Sequence, residues 1–260
     1  MNYKNTVLPI LRETREMLLS KWGSAKILSQ KDDSATNVVT KIDQMVEKYV
    51  SKKLKNLYPE IEFVGEEFGG DRSAEKLWLM DPIDGTGHYI RGLPFCTSMI
   101  ALIEHGQPIF SAIYDFVNDD MYWSEKGKGA YRNETRIKVS NRSLKQGYIG
   151  WESHLEKKEN LKIFFELRKR LVLFKAVVAG WEYAMIASGK LDARIAFDPY
   201  GHDYDFAPGA LLVMEAGGKV SNLDSRDYDY RKTDFIAANP IIYKELTEGK
   251  GALFLINGDI

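Results

Sequence analysis

The chain has 260 residues, 44% of them hydrophobic and 28% charged, and its 36 basic residues nearly balance 37 acidic ones. At about 150 residues per domain this is one large domain or two packed halves, big enough to fold without disulfides. A net charge of -1 excludes the basic footprint of a nucleic-acid or anionic-membrane binder, and a single cysteine, Cys96, excludes an internal disulfide or a CxxC metal motif.

No apolar run approaches the ~20 residues needed to span a bilayer, and the charged N-terminal stretch has no signal-peptide core. The expectation is a soluble, cytoplasmic protein with no membrane and no nucleic-acid partner.

In chain order, Val7, Ile10, Leu11 and Leu18 fall at helical spacing, so residues 4–20 read as an amphipathic helix. Ile42, Met45, Val46, Tyr49 and Val50 repeat the pattern, giving a second helix to about Leu57 that stops before Pro59. From Glu62 to Ser140 short apolar runs (FVG, LWLM, SMIALI, IFSAIYDF, MYWS) alternate with turn signals, as in a mixed or antiparallel sheet. The stretch 127–133 reads as a hairpin turn. Beyond Ser140 the pattern is strand, helix (157–170), strand, helix (179–188), strand (191–197), helix (205–216), strand and a last helix at 240–247, an α/β half. A soft boundary near 140 gives an N-terminal α+β half, 1–140, and a C-terminal α/β half, 141–260, with one site shared between them.

The chemistry concentrates in residues 77–92, LWLMDPIDGTGHYIRG. A hydrophobic strand ends on Asp81, Pro82 forces a turn, and Asp84, Gly85 and Thr86 lead into a helical turn. Two carboxylates brought together by such a turn suit a hard cation such as Mg²⁺, which keeps water and phosphate oxygens among its ligands. Gly85 allows a close backbone approach, and a helix start offers N–H groups to phosphate. Upstream, Phe63-Val64-Gly65 runs into Glu66-Glu67. Downstream, Asp205 opens a helix with Pro208 in its first turn, leading to Glu215-Ala-Gly-Gly218. Taken singly, each is also the pattern of an ordinary turn or helix cap.

Together, Gly65-Glu66-Glu67, Asp81-Pro-Ile-Asp-Gly-Thr86 and Asp205 with Glu215-Ala-Gly-Gly218 resemble the inositol monophosphatase family of lithium-sensitive, Mg²⁺-dependent phosphatases. Val39-Thr40-Lys41-Ile42-Asp43 on the second helix, and Gly127-Lys-Gly-Ala130 running to Ile137-Lys-Val-Ser140, extend the likeness over roughly residues 35–220. The resemblance implies a layered αβαβα sandwich of the inositol monophosphatase and fructose-1,6-bisphosphatase type, a homodimer, and two to three Mg²⁺ ions. Glu66, Asp81 and the carbonyl of Ile83 would hold the first ion, Asp81, Asp84 and Asp205 the second, with a third near Glu66. Thr86, hydrogen-bonded to Asp43, would orient the attacking water with help from Glu66, and the N–H groups of Gly85 and Thr86 would hold the phosphate.

Departures from the family pattern fall on the substrate side. His88-Tyr89 stand for Asn-Phe, Tyr204-Asp205 for Trp-Asp, and Val177-Val178-Ala179-Gly180 for a smaller, hydroxyl-bearing floor. Between Asp192 and Asp205 the chain is about two residues longer than the family pattern, so the acid that grips substrate hydroxyls has no fixed counterpart. Ala179, Asp198, His202 and Asp203 are the substrate candidates. The expected activity is hydrolysis of a small phosphorylated metabolite, with inositol 1-phosphate as lead. Histidinol phosphate, fructose 1,6-bisphosphate and a 3′-phosphonucleotide are alternatives, and a non-catalytic phosphate- or metal-binding module is the reading from another class.

Overall fold

The computed structural model describes residues 3–30, 38–249 and 251–254. Two helices, α1 (Lys4–Glu13) and α2 (Arg15–Leu19), stand where one was expected. The break is at Thr14, whose hydroxyl and N–H both donate to the Leu11 carbonyl, at 2.7 and 3.1 Å, tightening the turn. Strands β1 (Ile27–Gln30) and β2 (Val38–Thr40) form an antiparallel pair. Val39 and Thr40 therefore precede the second predicted helix rather than lie on it. That helix is α3 (Lys41–Leu57), with Thr40 at its N-cap. Its inner face is Ile42, Val46, Val50 and Leu54, whereas Met45 is exposed.

A seven-stranded sheet follows: β3 (Glu62–Gly65), β4 (Lys76–Asp84), β5 (Thr97–Glu104), β6 (Gln107–Asp115), β7 (Asp120–Glu125), β8 (Gly129–Arg132) and β9 (Thr135–Ile137), in that spatial order. Only the β3–β4 pair in it is parallel. Helix α4 (Thr86–Tyr89) is a single turn between β4 and β5. The 127–133 stretch is not wholly a turn, because β8 occupies 129–132 of it and pairs back on β7.

The C-terminal elements are β10 (Tyr148–Glu152), α5 (Lys158–Arg168), β11 (Val172–Lys175), α6 (Ala179–Ala187), β12 (Ala193–Ala196), α7 (Asp203–Glu215), β13 (Lys219–Asn222), β14 (Phe235–Ala238) and α8 (Pro240–Thr247). Their sheet has the order β11-β10-β12-β14-β13. It is mixed: β10 runs parallel to β11 and β12, while β14 is antiparallel to β12 and β13. Two strands thus fill the span from Gly217 to Asn239, where a single strand was expected. Residues 223–234 connect them without a crossover helix, which is why β13 and β14 pair antiparallel.

Side-chain alternation explains the layering. On β4, Trp78 and Met80 pack with Val7, Leu11, Val46 and Val50 of α1 and α3. Leu77 and Leu79 point the other way, into a core shared with Tyr183 and Ile186 of α6, Ala210 and Val213 of α7, and Phe235 and Ala237 of β14. A third core, with Trp151, Ile195 and Ile236, closes against Leu167 of α5 and Ile242 of α8. The result is an αβαβα sandwich whose two sheets are each buried on both faces, which is why LWLM reads as an unbroken apolar run. Among the described residues no helix is long and apolar enough to cross a membrane.

Candidate active site

The β4 strand does not stop at Asp81. It continues to Asp84, with a register shift in which Asp81 faces Met99 and Asp84 faces Thr97 of β5. Three steps on β4 thus match two on β5, which is a bulge of one residue beside Pro82. The parity matters. In a regular strand residues three apart face opposite sides, which would send Asp84 toward α1 and α3. The bulge instead turns Ile83 into that core and brings Asp84 round to the face of Asp81. It is a bulge, rather than the turn expected at Pro82, that lets the two carboxylates converge.

The third carboxylate comes from α7. Ligand-capable atoms of Asp81, Asp84 and Asp205 all lie within 4.8 Å of one another. Asp205 is not the helix N-cap: His202 is, and Asp205 sits at the third helical position, accepting the His202 N–H at 2.5 Å. Pro208 accordingly falls in the second turn. Glu66 reaches the group through the parallel register, since Gly65 pairs with Met80 and the Glu66 N–H donates to the Met80 carbonyl at 3.1 Å, one residue short of Asp81.

Electrostatically the cluster is strained. Burial, followed by the charges of Glu66, Asp205 and Asp84, pushes Asp81 well above the usual carboxylate range. Asp205 is raised in the same way, by burial and then by Asp84 and Glu66. Asp84 is pushed up to about 7 by burial, tempered by the Gly180 N–H and the charge of Arg194. Asp81 Oδ1 is buried with no hydrogen-bond partner. Three crowded carboxylates with an unpartnered oxygen are the donor set of a hard divalent cation, so the residues present fit such an ion.

Beside the cluster, Thr86 Oγ1 donates to Asp43 Oδ1 at 3.0 Å and lies 2.9 Å from the Ile83 carbonyl, its second acceptor. Asp43, on α3, also accepts the N–H and the hydroxyl of Thr40, at 2.9 and 2.6 Å. Burial raises its pKa to about 6 against those bonds. Gly85 is left-handed, φ 88°, and a Cβ there would lie 2.7 Å from both the Phe95 carbonyl and a Val178 methyl. Only glycine fits.

The substrate candidates separate. Ala179 is buried in the core at the start of α6, and the next residue, Gly180, donates its N–H to Asp84 at 2.6 Å. Asp198 is engaged elsewhere: its carboxylate takes Lys157 and Asn160, each at 2.6 Å, and these bonds hold its pKa low. Asp203 pairs with Arg72 at 3.0 Å, tying the start of α7 to the loop that follows Glu66-Glu67. His202 contributes its backbone to the Asp205 cap, with its ring 5.3 Å from that of Tyr204. Glu215 is no ligand; it accepts the N–H groups of Gly127 and Gly129, both at 2.8 Å, and fastens the β7–β8 hairpin to α7.

Sequence reasoning missed Glu47, Glu152, Glu182 and Arg194. Glu47 is fully buried one helical turn beyond Asp43, and that spacing was its signal: a carboxylate on the apolar face of α3. Arg194 is a buried cation paired with both Glu152 and Glu182. An arginine alternating with Ala193, Ile195 and Ala196 in a core strand was the signal there.

The family profile of the inositol monophosphatases matches residues 5–253. The chain belongs to that family. Family membership makes it one of the phosphoric monoester hydrolases. Relatives include the "Nus factor SuhB" of Xylella fastidiosa, 30% identical over 229 residues (86% of this chain, 82% of that one). The inositol monophosphatase of Dictyostelium discoideum is 29% identical and covers 95% of this chain and 94% of its own. Among solved structures, an IMPase of Thermotoga maritima superposes with a TM-score of 0.84 at 25% identity, covering 94% of this chain and 95% of that one. The layered sandwich is therefore the inositol monophosphatase fold, and two of the three clustered carboxylates, Asp81 and Asp84, lie on the DPIDGT segment of this family member, with Asp205 added from α7.

Proposed function

We propose that this protein is a Mg²⁺-dependent phosphomonoesterase acting on a small polyol or sugar monophosphate, with inositol 1-phosphate as lead substrate. The observation that carries the reading is the convergence of Asp81, Asp84 and Asp205 beside the Thr86–Asp43 hydrogen bond. Glu66, Asp81 and the Ile83 carbonyl would hold one ion, and Asp81, Asp84 and Asp205 another, with a third near Glu66. Bound Mg²⁺ would neutralise the phosphate charge, lower the pKa of the attacking water and stabilise the leaving alkoxide.

The remaining work falls to the chain itself. Asp43 and the Ile83 carbonyl share the Thr86 hydroxyl hydrogen, which leaves the Thr86 oxygen to accept a hydrogen bond from the attacking water and to aim it at phosphorus. Glu66 is the second acceptor for that water. The N–H groups of Gly85 and Thr86, at the start of α4, would receive the phosphate oxygens. In this reading residues 1–140 supply most of the ligands, and residues 141–260 bring Asp205 and the loop that meets the substrate's hydroxylated end.

The test is kcat/KM, with and without Mg²⁺, for inositol 1-phosphate, histidinol phosphate, fructose 1,6-bisphosphate and 3′-phosphoadenosine 5′-phosphate. A preference of about tenfold for any of the other three, about 1.4 kcal/mol of transition-state binding, overturns the lead substrate. The name of the Xylella relative supports a second reading, a role as a Nus factor. The full acidic set with Thr86 and Asp43 favours the enzyme, and no phosphate release with any divalent ion would reverse that order.

A further inference from the structure

The loop bearing Glu66 is short and closed. Gly65 and Gly69 bond to each other in both directions, N–H to carbonyl, at 3.0 and 3.1 Å, leaving Glu66, Glu67 and Phe68 as the tip. Under that tip lies Glu47 of α3. Its two carboxylate oxygens accept the N–H of Glu67 at 2.8 Å and of Phe68 at 3.0 Å. The fit leaves no slack, because a Cβ on Gly65 would sit 1.9 Å from Glu47 Oε1. The neighbouring Lys48 lays its ammonium 4.8 Å from the Phe68 ring centroid, so the loop is held from the same helix on its outer side too.

Asp43 and Glu47 are four residues apart and so share one face of α3, a single turn from each other. Asp43 takes the Thr86 hydroxyl from the DPIDGT turn, and Glu47 takes the amides of the Glu66-Glu67 turn. One helix face thus sets the separation between the two acidic segments. We infer that Glu47 is a positioning residue for Glu66, acting through the amides of Glu67 and Phe68 and not by touching substrate. A neutral side chain could cap a turn at lower cost. A buried carboxylate beside Glu66 and Glu67 is repelled by both, and bearing that cost fits a group that holds a functional loop in place.

This inference rests on the reading that Glu66 serves hydrolysis, and the experiment separates the two. Amide hydrogen exchange at Glu67 and Phe68 is measured in Glu47→Gln without metal, and phosphate release from inositol 1-phosphate is measured against Mg²⁺ concentration in E47Q, E66Q and the double variant. The expected result is exchange at both amides faster by tenfold or more, and a kcat reduced by about tenfold with the substrate KM within twofold. E47Q should then add less than twofold to the loss already present in E66Q. Unchanged exchange, or full additivity in the double variant, overturns the role of Glu47. A wild-type rate in E66Q overturns the assignment of Glu66 instead, with the exchange result still deciding whether Glu47 anchors the loop. Should E47Q fail to fold, Glu47→Asp, which keeps the charge but shortens the reach, goes through the same measurements.

Discussion

Gly180 donates its backbone N–H to Asp84 Oδ2 at 2.6 Å, across 96 positions of sequence, and the Thr97 hydroxyl approaches the same oxygen at 3.2 Å. The bond joins the start of α6 to the bulged end of β4, so a ligand-capable carboxylate is aimed by the opposite half of the chain. Gly180 has no room for a side chain: a Cβ would lie 2.2 Å from Thr97 Oγ1 and 2.4 Å from Met99 Sδ.

Asp84→Asn should therefore fold yet lose turnover by more than about a hundredfold, because a neutral amide cannot hold a cation as a carboxylate does. Gly180→Ala should cost about 1–3 kcal/mol of stability through overpacking and lower kcat as well. Steady-state kinetics at saturating Mg²⁺ with a urea melt of each variant would check both, and a D84N rate near wild type would refute the metal assignment.

Burial raises Asp43 to about 6, and Glu47 and Asp84 to about 7, from ordinary values of 3.8, 4.5 and 3.8. All three folded-state values exceed the unfolded ones, so between about pH 4 and pH 7 these three groups bind more protons in the folded chain than in the unfolded chain. These groups therefore make the metal-free protein less stable as pH rises through that window, and Asp81 and Asp205, raised in the same way, act in the same direction. In chelator, Tm should decline from pH 5 to pH 8, and saturating Mg²⁺ should offset the decline. D84N should raise the metal-free Tm at pH 8 but not at pH 5. A metal-free Tm that climbs with pH would contradict the electrostatics of the cluster.

Asp203 and Asp198 should behave differently on substitution. Asp203, although paired with Arg72, lies two residues before Asp205, so Asp203→Ala should raise KM for a polyol phosphate while sparing an aryl phosphate that offers no hydroxyls to grip. Asp198 is occupied by Lys157 and Asn160. Asp198→Ala should leave KM for both substrates within twofold. The reverse pattern would move the grip to Asp198.

Arg194 ties two site-bearing segments together from behind. Its partner Glu182 accepts the Val177 N–H at 2.5 Å, and its partner Glu152 accepts the N–H groups of Tyr200 and Gly201, both at 3.1 Å. Arg194→Met would strand the buried Glu182 carboxylate and the partly buried Glu152 one, and should cost about 3–5 kcal/mol in a denaturant melt. A loss below about 1 kcal/mol would show that water reaches those carboxylates.

Family membership also predicts inhibition by Li⁺, a small cation competing for the site that Asp84 and Asp205 help to form. Turnover unchanged in tens of millimolar Li⁺ would rule out that sensitivity without touching the phosphatase reading.

Much of this molecule was legible in one dimension, because its signals are local. Helical spacing located α3, the strand–helix alternation located α5 to α8, apolar runs located β3 to β7, and DPIDGT with Asp205 marked the three carboxylates that converge. What only the tertiary structure decided depends on partners distant in sequence. The bulge at Pro82 is a property of the β4–β5 register, and that register alone brings Asp81 and Asp84 to one face. The single C-terminal strand expected after α7 resolved into β13 and β14, whose antiparallel pairing no periodicity announces. Asp198 and Asp203 looked equivalent until their distant partners were placed, Lys157 and Asn160 on Asp198 and Arg72 on Asp203. Glu47 looked like one more charge on a helix. Its role depends on the loop packed above it, since a buried carboxylate is defined by the donors that surround it rather than by its neighbours in the chain.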